Sequence, residues 1–316
     1  MIDYSSEFQQ LAKAYELSGG DPANLSASDA AILLVSGNRV LLEHGIPGVI
    51  IKSKSLENGI KTKIVVKEGI KLQSPIHLCF GVLPADGIQN IRAEFIVEDD
   101  ASASFLAHCS FPNAAQVQHI MHGKVKIGKN AHMVYDETHY HGPDGGVDVL
   151  PVMKVFVEEG GSFMSTFKLI QGAAGKVDLE YKAYVKKNGS VEMNTKLFGK
   201  KDDRIKVRES IYLDGQNAHG LAKSRIVVSE KAQAKVLGEV TGNGPHSRGH
   251  VDCMEIIRGP HAKAEAIPKL FVIDETAKLT HEAAIGSVDK KQVETLMSRG
   301  LTADEAADVI VMGLLK

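Results

Sequence analysis

The sequence predicts an all-β core with helical segments at its two ends. Between about residues 31 and 280, Val- and Ile-rich runs alternate with Gly, Asn, Asp and Pro, a pattern typical of short strands joined by turns. A loose repeat of nearly constant length runs through this region. Apolar residues recur at helical spacing only before and after it.

The repeat is marked by small residues that close polar turns. Five of them follow one another along the chain: Ala101, Ala131, Gly161, Gly189 and Ala218. The steps between them are 30, 30, 28 and 29 residues, within the range of one unit of a repeat protein. A parallel β-helix explains this period, because its coils bury their inner faces by stacking with their turns in register. A large antiparallel sandwich with evenly spaced turns explains the period nearly as well, so spacing alone leaves both open.

The two ends are predicted to be helical. The first helix is indicated by apolar residues at three- and four-residue spacing that stop at a glycine pair: Phe8, Leu11, Ala12, Tyr15 and Gly19-Gly20. We therefore divide the chain into an N-terminal helical segment (1–30), a β core (31–280) and a C-terminal helical segment (281–316).

The C-terminal segment has the capping signals of two helices. Asp289 with Gln292, and Thr302 with Glu305, have the spacing of helix N-caps, and Gly300 separates the pairs. The apolar side of the second helix is predicted to be Ala306, Val309, Ile310 and Leu314. We expect this tail to cap the open end of the β core, and it could also dock a partner.

Composition excludes several classes of function. The chain has 316 residues, 43% of them hydrophobic, which predicts a folded protein, and its formal net charge of −2 gives no field that would gather nucleic acid or an anionic membrane. Three cysteines do not suggest a disulfide framework, and no signal peptide or membrane-spanning run is recognisable. We therefore expect a cytoplasmic protein with no nucleic-acid or membrane partner.

Motifs for common enzyme chemistries are missing from the sequence. The segment 172–176 lacks the spacing and the hydroxyl residue of a P-loop. The sequence also has no Gly-x-Ser-x-Gly elbow and no Gly-x-Gly-x-x-Gly after a strand, so serine-hydrolase and dinucleotide-binding functions lose their main support.

The segment richest in potential ligands surrounds Cys253. His246 and His250 precede this cysteine, and His281 and Glu282 follow it about one repeat later. Thiolate and imidazole suit iron, zinc or copper, and a carboxylate can supplement them. The sequence has no Cys-x-x-Cys pair, so a closed structural zinc site is not favoured. From the residue type alone, a buried cysteine is more often packing than ligand.

A second polar row is formed by Glu137, His139 and His141, which alternate along a predicted strand. These residues could form a row of ligands, although a solvated, hydrogen-bonded face is favoured. His119 and His122 are interpreted as ordinary surface residues. The remaining cysteines, Cys79 and Cys109, lie among apolar residues and are assigned to packing.

The C-terminal third resembles the end of SufB and SufD proteins. The resemblance is carried by three segments: His250-Val251-Asp252-Cys253, Thr280-His281-Glu282-Ala283-Ala284 and Arg299-Gly300-Leu301-Thr302. Weaker similarity extends over roughly residues 45 to 315 and includes Lys223-Ser224-Arg225 and residues 68–78. The chain departs from typical SufB proteins in its shorter N-terminal region, in Thr280, which replaces the first Glu of a Glu-His-Glu turn, and in Met254, where SufB usually has Asp.

The resemblance implies a right-handed parallel β-helix and a scaffold on which iron-sulfur clusters are assembled, rather than an ordinary turnover enzyme. Cys253 matches the SufB cysteine implicated in assembly, Glu282 matches the second Glu of the turn, and His281 matches a histidine that SufD supplies. The chain thus combines residue types of both partners, which suggests a homodimer. Other implied partners are a SufC-type ABC ATPase docked on the C-terminal helices, a sulfur donor and acceptor apoproteins. The implied cofactor is a transient iron-sulfur cluster.

The spacing of these residues is consistent with that assignment. Cys253 and Glu282 are 29 residues apart, close to the repeat period, so they could lie about one coil apart and converge on one metal ion. Two alternatives stay open. One is a β-helix enzyme that depends on a metal or acts on carbohydrate, and the other is an adaptor that recruits the ATPase without cluster chemistry.

Overall fold

A computed structural model describes residues 5–26, 29–142 and 145–315 of the chain. Its strands are β1 (Ile32–Ser36), β2 (Arg39–His44), β3 (Val49–Leu56), β4 (Gly59–Val66), β5 (Ile76–Gly81), β6 (Asp86–Val97), β7 (Ser102–Phe111), β8 (Gln116–Ile127), β9 (His132–His141), β10 (Val147–Val157), β11 (Ser162–Gln171), β12 (Lys176–Val185), β13 (Ser190–Gly199), β14 (Arg204–Leu213), β15 (His219–Ser229), β16 (Gln233–Gly242), β17 (Arg248–Arg258), β18 (Lys263–Val272) and β19 (Lys278–Gly286). Its α-helices are α1 (Ser5–Leu17), α2 (Lys290–Met297) and α3 (Ala303–Leu315), and a short 3₁₀ helix spans Pro22–Ser26.

The strands form two facing sheets that the chain visits alternately. The ten-stranded sheet has the order β19-β17-β15-β13-β11-β9-β7-β5-β1-β2, and the nine-stranded sheet has the order β18-β16-β14-β12-β10-β8-β6-β4-β3. From β4 onward, each strand pairs in parallel with the strand two positions later. This is a parallel β-helix, which confirms the predicted fold and excludes the antiparallel sandwich.

The repeat arises at turns in which one residue has a left-handed backbone. Asp100, Asn130, Asn188 and Asn217 have φ angles of 57°, 51°, 55° and 55°. Asp and Asn adopt this conformation more readily than other non-glycine residues. The turns are also linked between coils, since the Asn130 amide donates to Asp100 Oδ1 at 3.1 Å and the Asn217 amide donates to Asn188 Oδ1 at 3.1 Å.

The small residue after each left-handed position faces the stacked coils. Ala101, Ala131 and Ala218 are fully buried. At Gly161, a Cβ atom would lie 2.9 Å from the carbonyl oxygen of Gly128 on the preceding coil, closer than side chains tolerate. Residues of this size recur because the coils are stacked too closely for larger ones.

The inner faces of both sheets share one continuous core. Side chains alternate inward and outward along each strand, as the pleat requires. In β12, for example, the inward residues are all buried: Val177, Leu179, Tyr181, Ala183 and Val185. The outward residues between them are mostly polar or charged, so the core is a narrow column that runs along the coil axis.

Helix α1 lies where the sequence predicts a helix and covers the first coils from outside. Leu11 and Tyr15 are buried against Ile32, Leu34 and Cys79 of the ten-stranded sheet. The hydroxyl of Tyr15 also lies 3.1 Å from His77 Nδ1. Among the described helices, none combines the length and the apolar character needed to cross a membrane.

The predicted caps of α2 and α3 are confirmed. The Asp289 carboxylate accepts from the Gln292 N–H at 2.8 Å. The Glu305 carboxylate accepts from the Thr302 N–H at 2.8 Å, and the Glu305 N–H donates to the Thr302 hydroxyl at 3.3 Å. Each cap satisfies donors that the first helical turn leaves unpaired.

The expectation that the tail caps the open end of the core is wrong. Val311 and Leu315 of α3 are buried against Val227 on the outer face of β15. Val309, which was expected on the packed side, is 51% exposed. The reason is an apolar strip on the outer face of the ten-stranded sheet, which includes Phe198. Helix α3 packs on this strip because the contact removes apolar surface from water. The last coil is therefore left uncovered by α3.

A buried carboxylate joins neighbouring loops of the core. Asp203 is 4% exposed and accepts N–H bonds of 2.8 Å from each of Ala174, Gly175 and Lys200. We expect Asp203→Ala to lower the free energy of unfolding by about 3 kcal/mol, because buried donors would lose their acceptor. Chemical denaturation measures this loss. The exposed neighbour supplies the control: Asp202→Ala should change stability by less than about 0.5 kcal/mol, and equal losses in the two variants would contradict the assignment.

Candidate functional site

The C-terminal end of the β-helix is an open coil formed by β18 and β19. In each sheet these strands are the last, so one edge of each lacks a strand partner among the described residues. Large apolar side chains are exposed here, with Phe271 at 47%, Val272 at 52%, Ile273 at 68% and Ile285 at 46%. Uncovered sheet edges with apolar side chains are typical of surfaces that associate with another chain.

Cys253 lies one coil below this open end. It points inward from β17, is 2% exposed and belongs to the continuous core. The residues at matching register positions on successive strands of this sheet form one inward column of side chains. In this column, Cys253 lies between Ser224 of β15 and Ala283 of β19, and Thr195 of β13 follows Ser224. Only the last coil, whose inward residue at this position is small, separates the sulfur from the open end.

The surroundings of Cys253 are less apolar than its burial suggests. The Ser224 hydroxyl donates to Glu255 Oε1 at 3.0 Å, and Glu255 Oε2 is buried with no partner among the described residues. Alternation places Glu255 on the same inward face of β17 as Cys253. Burial raises the pKa of Cys253 to about 11 and that of Glu255 to about 7. The thiol is therefore protonated at neutral pH and must lose its proton to bind a metal.

The strand register brings His281 and Glu282 next to β17 but on opposite faces. Val251 is opposite His281, Asp252 is opposite Glu282, and Cys253 is opposite Ala283. Since alternate residues face opposite sides of a strand, His281 shares the inward face with Cys253, whereas Glu282 lies on the outward face with Asp252. His281 and Glu282 thus lie one coil away from Cys253, as the sequence indicates. Both residues are exposed.

The outward face beside Glu282 is a charged and hydrogen-bonded surface. Arg225 makes a two-pronged ion pair with Asp252, at 2.6 Å and 2.9 Å, which lowers the pKa of that carboxyl below its ordinary value. His250 Nδ1 lies 2.7 Å from the hydroxyl of Thr280 on the same face. His250 therefore faces away from the sulfur of Cys253 and toward the environment of Glu282.

His246 is far from the other candidates. It occupies the left-handed position of a turn, with φ of 57°, and its N–H donates to the Thr276 hydroxyl at 2.7 Å. Cys253 follows it by seven residues, which corresponds to at most about 23 Å. The structure thus groups Cys253, His281, Glu282 and His250 along the paired strands β17 and β19 and places His246 in the turn that precedes β17.

The interpretation of the second polar row as a solvated face is wrong. Glu137, His139 and His141 point into the core from β9 and are 2%, 1% and 1% exposed. The alternation of β9 could have shown that these residues are buried. Met133 and Tyr135 are apolar and precede them on the same face of the strand, so this face is the inward one. The inward row simply continues with polar side chains.

For the remaining histidines and cysteines, the predicted burial is confirmed in some cases and wrong in others. His119 points inward from β8 and is 1% exposed, so its assignment to the surface is wrong, whereas His122 is exposed as expected. Cys79 and Cys109 are buried, as expected. Among the interior residues that sequence reasoning missed are His119 and Glu209, which share an inward phase with apolar neighbours.

Comparisons with known proteins place this architecture in a family. A family model described as the SufBD core domain of the SUF system for FeS cluster assembly matches residues 80–314. An iron-sulfur cluster assembly SufBD family protein of Methanocaldococcus jannaschii is 41% identical over 314 residues, which cover 99% of each chain. A SufBD family protein of Pyrococcus horikoshii is 32% identical over 99% of this chain and 95% of its own length.

A more distant relative is named SufB, which is one of the two proteins that give the family its name. The iron-sulfur cluster assembly protein SufB of Bacillus subtilis is 25% identical over 272 residues, which cover 80% of this chain and 54% of SufB. The family model spans most of the β-helix as well as α2 and α3. This chain therefore belongs to the SufBD family of iron-sulfur cluster assembly proteins.

Proposed function

We propose that this chain is a scaffold on which an iron-sulfur cluster is assembled and from which it is released, without turnover of a substrate. The observation that carries the proposal is the position of Cys253, one coil below an open end that also presents His281 and Glu282. Membership of the SufBD family supports a role in iron-sulfur cluster assembly. It gives no support to a carbohydrate-active or metal-dependent enzyme.

The chemistry of these side chains suits a cluster that is held briefly. Thiolate binds iron and can carry sulfur, carboxylate is a harder oxygen ligand, and imidazole lies between them. We expect a mixed and incomplete set of ligands to release a cluster more readily than four thiolates would. Since burial raises the pKa of Cys253 to about 11, iron must displace a proton to bind its sulfur.

A homodimer joined at the open ends would complete this set. The exposed apolar residues Val272, Ile273 and Ile285 would be covered by the same surface of a second copy. Such pairing would bring a second His281 and a second Glu282 to the junction. Since Glu282 and Cys253 lie on opposite faces of one sheet, a ligand from the second copy offers a route to join carboxylate and thiolate.

Helices α2 and α3 are the proposed docking site of a SufC-type ABC ATPase. Helix α2 has no buried residue, and Met297 and Val309 are 44% and 51% exposed. An ATPase bound to these helices would lie on the flank of the β-helix, beside the proposed junction, and its motion could open that junction. A cytoplasmic sulfur donor and acceptor apoproteins complete the proposed set of partners.

Anaerobic incubation with ferric iron, sulfide and a thiol reductant tests cluster formation. We expect a brown protein with visible absorbance that passes its cluster to an apoprotein. The dimer is tested with Ile273→Asp, which should convert dimer into monomer by light scattering and reduce cluster uptake, because it places a charge in the proposed junction. The matched control is Ile88→Asp, since Ile88 is 47% exposed on β6.

Two outcomes would contradict this function. One is a wild-type protein that takes up no iron and sulfide under these conditions. The other is identical assembly state and uptake in the Ile273 and Ile88 variants, which would remove the open end from the proposal.

A further inference from the structure

A group of four buried donors lies inside the β-helix, far from the open end. Cys109, His119, Glu137 and His139 each offer one ligand atom, and these atoms all lie within 4.8 Å of one another. All four side chains are at most 2% exposed. We propose that they form a site for one divalent transition-metal ion of the zinc type, separate from the cluster site.

The strands converge on this point from both sheets. Cys109 in β7 and His139 in β9 are direct register partners, and Glu137 lies two residues before His139 on the same inward face. His119 projects inward from β8 in the opposite sheet. Glu137 Oε1 lies 2.7 Å from His139 Nε2 and 3.8 Å from Cys109 Sγ. The four donors therefore surround a small space instead of lying in one plane along a strand.

The hydrogen bond of His119 determines which of its ring nitrogens carries the proton and leaves the other nitrogen available to a metal. The Gln89 amide nitrogen donates to the carbonyl oxygens of Gly37 and Gly81, at 3.0 Å and 3.1 Å, so its oxygen faces His119 Nδ1 at 3.1 Å. That oxygen can only accept, and Nδ1 must therefore carry the proton. His119 Nε2 then presents a lone pair, and it is buried with no partner among the described residues. Metal-binding histidines are commonly held in this way through the second nitrogen.

The charge of the donor set matches a divalent cation. One thiolate and one carboxylate would neutralise two positive charges, and the two neutral imidazoles would complete a four-coordinate site. Burial raises the pKa values of Cys109 and Glu137 and lowers those of His119 and His139 to about 3, so burial favours the uncharged form of each of these side chains. A bound ion would displace the proton of the Cys109 thiol.

Apolar neighbours would keep water from such an ion. The ring of Phe111 lies 4.9 Å from the ring of His119, and the ring of Phe167 lies 4.8 Å from that of His139. Phe167 also occupies the same inward column as Glu137 on the next strand toward Cys253. Four strand steps separate Glu137 from Cys253 along this column, which is about 19 Å. One ion cannot bridge the two sites.

A soft and borderline donor set of this kind favours zinc and its analogues over calcium or magnesium, which prefer oxygen ligands. The site has no open position toward solvent, so it is structural in type. We expect the ion to be acquired during folding and to resist chelators in the native state.

Metal analysis and cobalt substitution test the site. Protein produced with zinc should retain one ion per chain after dialysis against EDTA, and protein refolded with cobalt should show a thiolate-to-cobalt charge-transfer band. Cys109→Ser should lower the bound metal by roughly tenfold or more and abolish the band. Cys79→Ser is the matched control, since Cys79 is equally buried on the neighbouring strand β5 and is expected to keep both signals.

A variant that leaves Cys109 as the sole thiol keeps the test decisive if Cys109→Ser does not fold. The Cys79→Ser/Cys253→Ser double variant should retain the ion and the cobalt band, because the chain has three cysteines. Wild-type protein without bound zinc and without a thiolate-cobalt band would overturn the proposal, as would a band that survives Cys109→Ser. If the double variant loses cluster uptake but retains the ion, the interior metal site is independent of the proposed cluster site at Cys253.

Discussion

Cys253→Ser is expected to abolish the formation of an iron-sulfur cluster during anaerobic incubation with iron and sulfide. Serine is close in size to cysteine, so the buried position beside Ser224 would stay filled. Its hydroxyl, however, is a poor ligand for iron and cannot hold sulfur as a persulfide. Visible absorbance and the iron and sulfide content per chain measure the effect.

Cys79→Ser supplies the control for this prediction. Cys79 is fully buried, but it packs beneath α1 on the outer side of the first coils, far from the open end. We expect its replacement to leave cluster uptake unchanged. Full uptake by the Cys253 variant, or equal loss in both variants, would show that the sulfur of Cys253 does not hold the cluster.

The contribution of Glu209 to stability is expected to fall as pH rises from weakly acidic to alkaline values, and Glu209→Gln should remove this contribution. Glu209 is 3% exposed, and burial raises its pKa from 4.5 to about 8, against the opposing effect of the hydrogen bond from Thr195. Between these two values the native state binds more protons than the unfolded state. This contribution is therefore fully present below pH 4.5 and is lost through about pH 8, at about 1.4 kcal/mol per pH unit.

Denaturation of Glu209→Gln and wild type at several pH values measures this effect. The glutamine cannot ionise and can still accept from the Thr195 hydroxyl, so the stability of the variant relative to wild type should increase from pH 5 to pH 8 by roughly 2–4 kcal/mol. The control is Glu158→Gln, since Glu158 is exposed in a turn. A constant difference between the Glu209 variant and wild type over this range would contradict the raised pKa.

The sequence predicted the architecture because the fold repeats a local constraint. Each coil places a residue such as Asn130 or Asn217 in a left-handed turn and follows it with a small residue, and this pattern is visible without coordinates. The period alone left a sandwich open, because spacing does not reveal which strands pair. The position of α3 was not predictable either, because the strip that holds it is assembled from strands far apart in the sequence, among them β13 and β15.

The sequence predicted that Cys253 and Glu282 lie one coil apart, but not that they lie on opposite faces of the sheet. A separation of 29 residues placed Cys253 and Glu282 one coil apart, whereas the exact register, with Cys253 opposite Ala283, decides which side chains share a face. That register depends on the lengths of the turns around a whole coil. The interior group was missed for a different reason, since Glu137 and His139 are polar and suggest solvent unless the apolar phase of β9 is given priority.

Iron-edge anomalous diffraction from crystals of the protein reconstituted with iron and sulfide tests the scaffold function most directly. The predicted result is an anomalous peak at the open end, next to the sulfur of Cys253 and within reach of His281 from the same or a second copy. Iron found only elsewhere on the molecule, with Cys253 still enclosed by its neighbours, would contradict the proposed site.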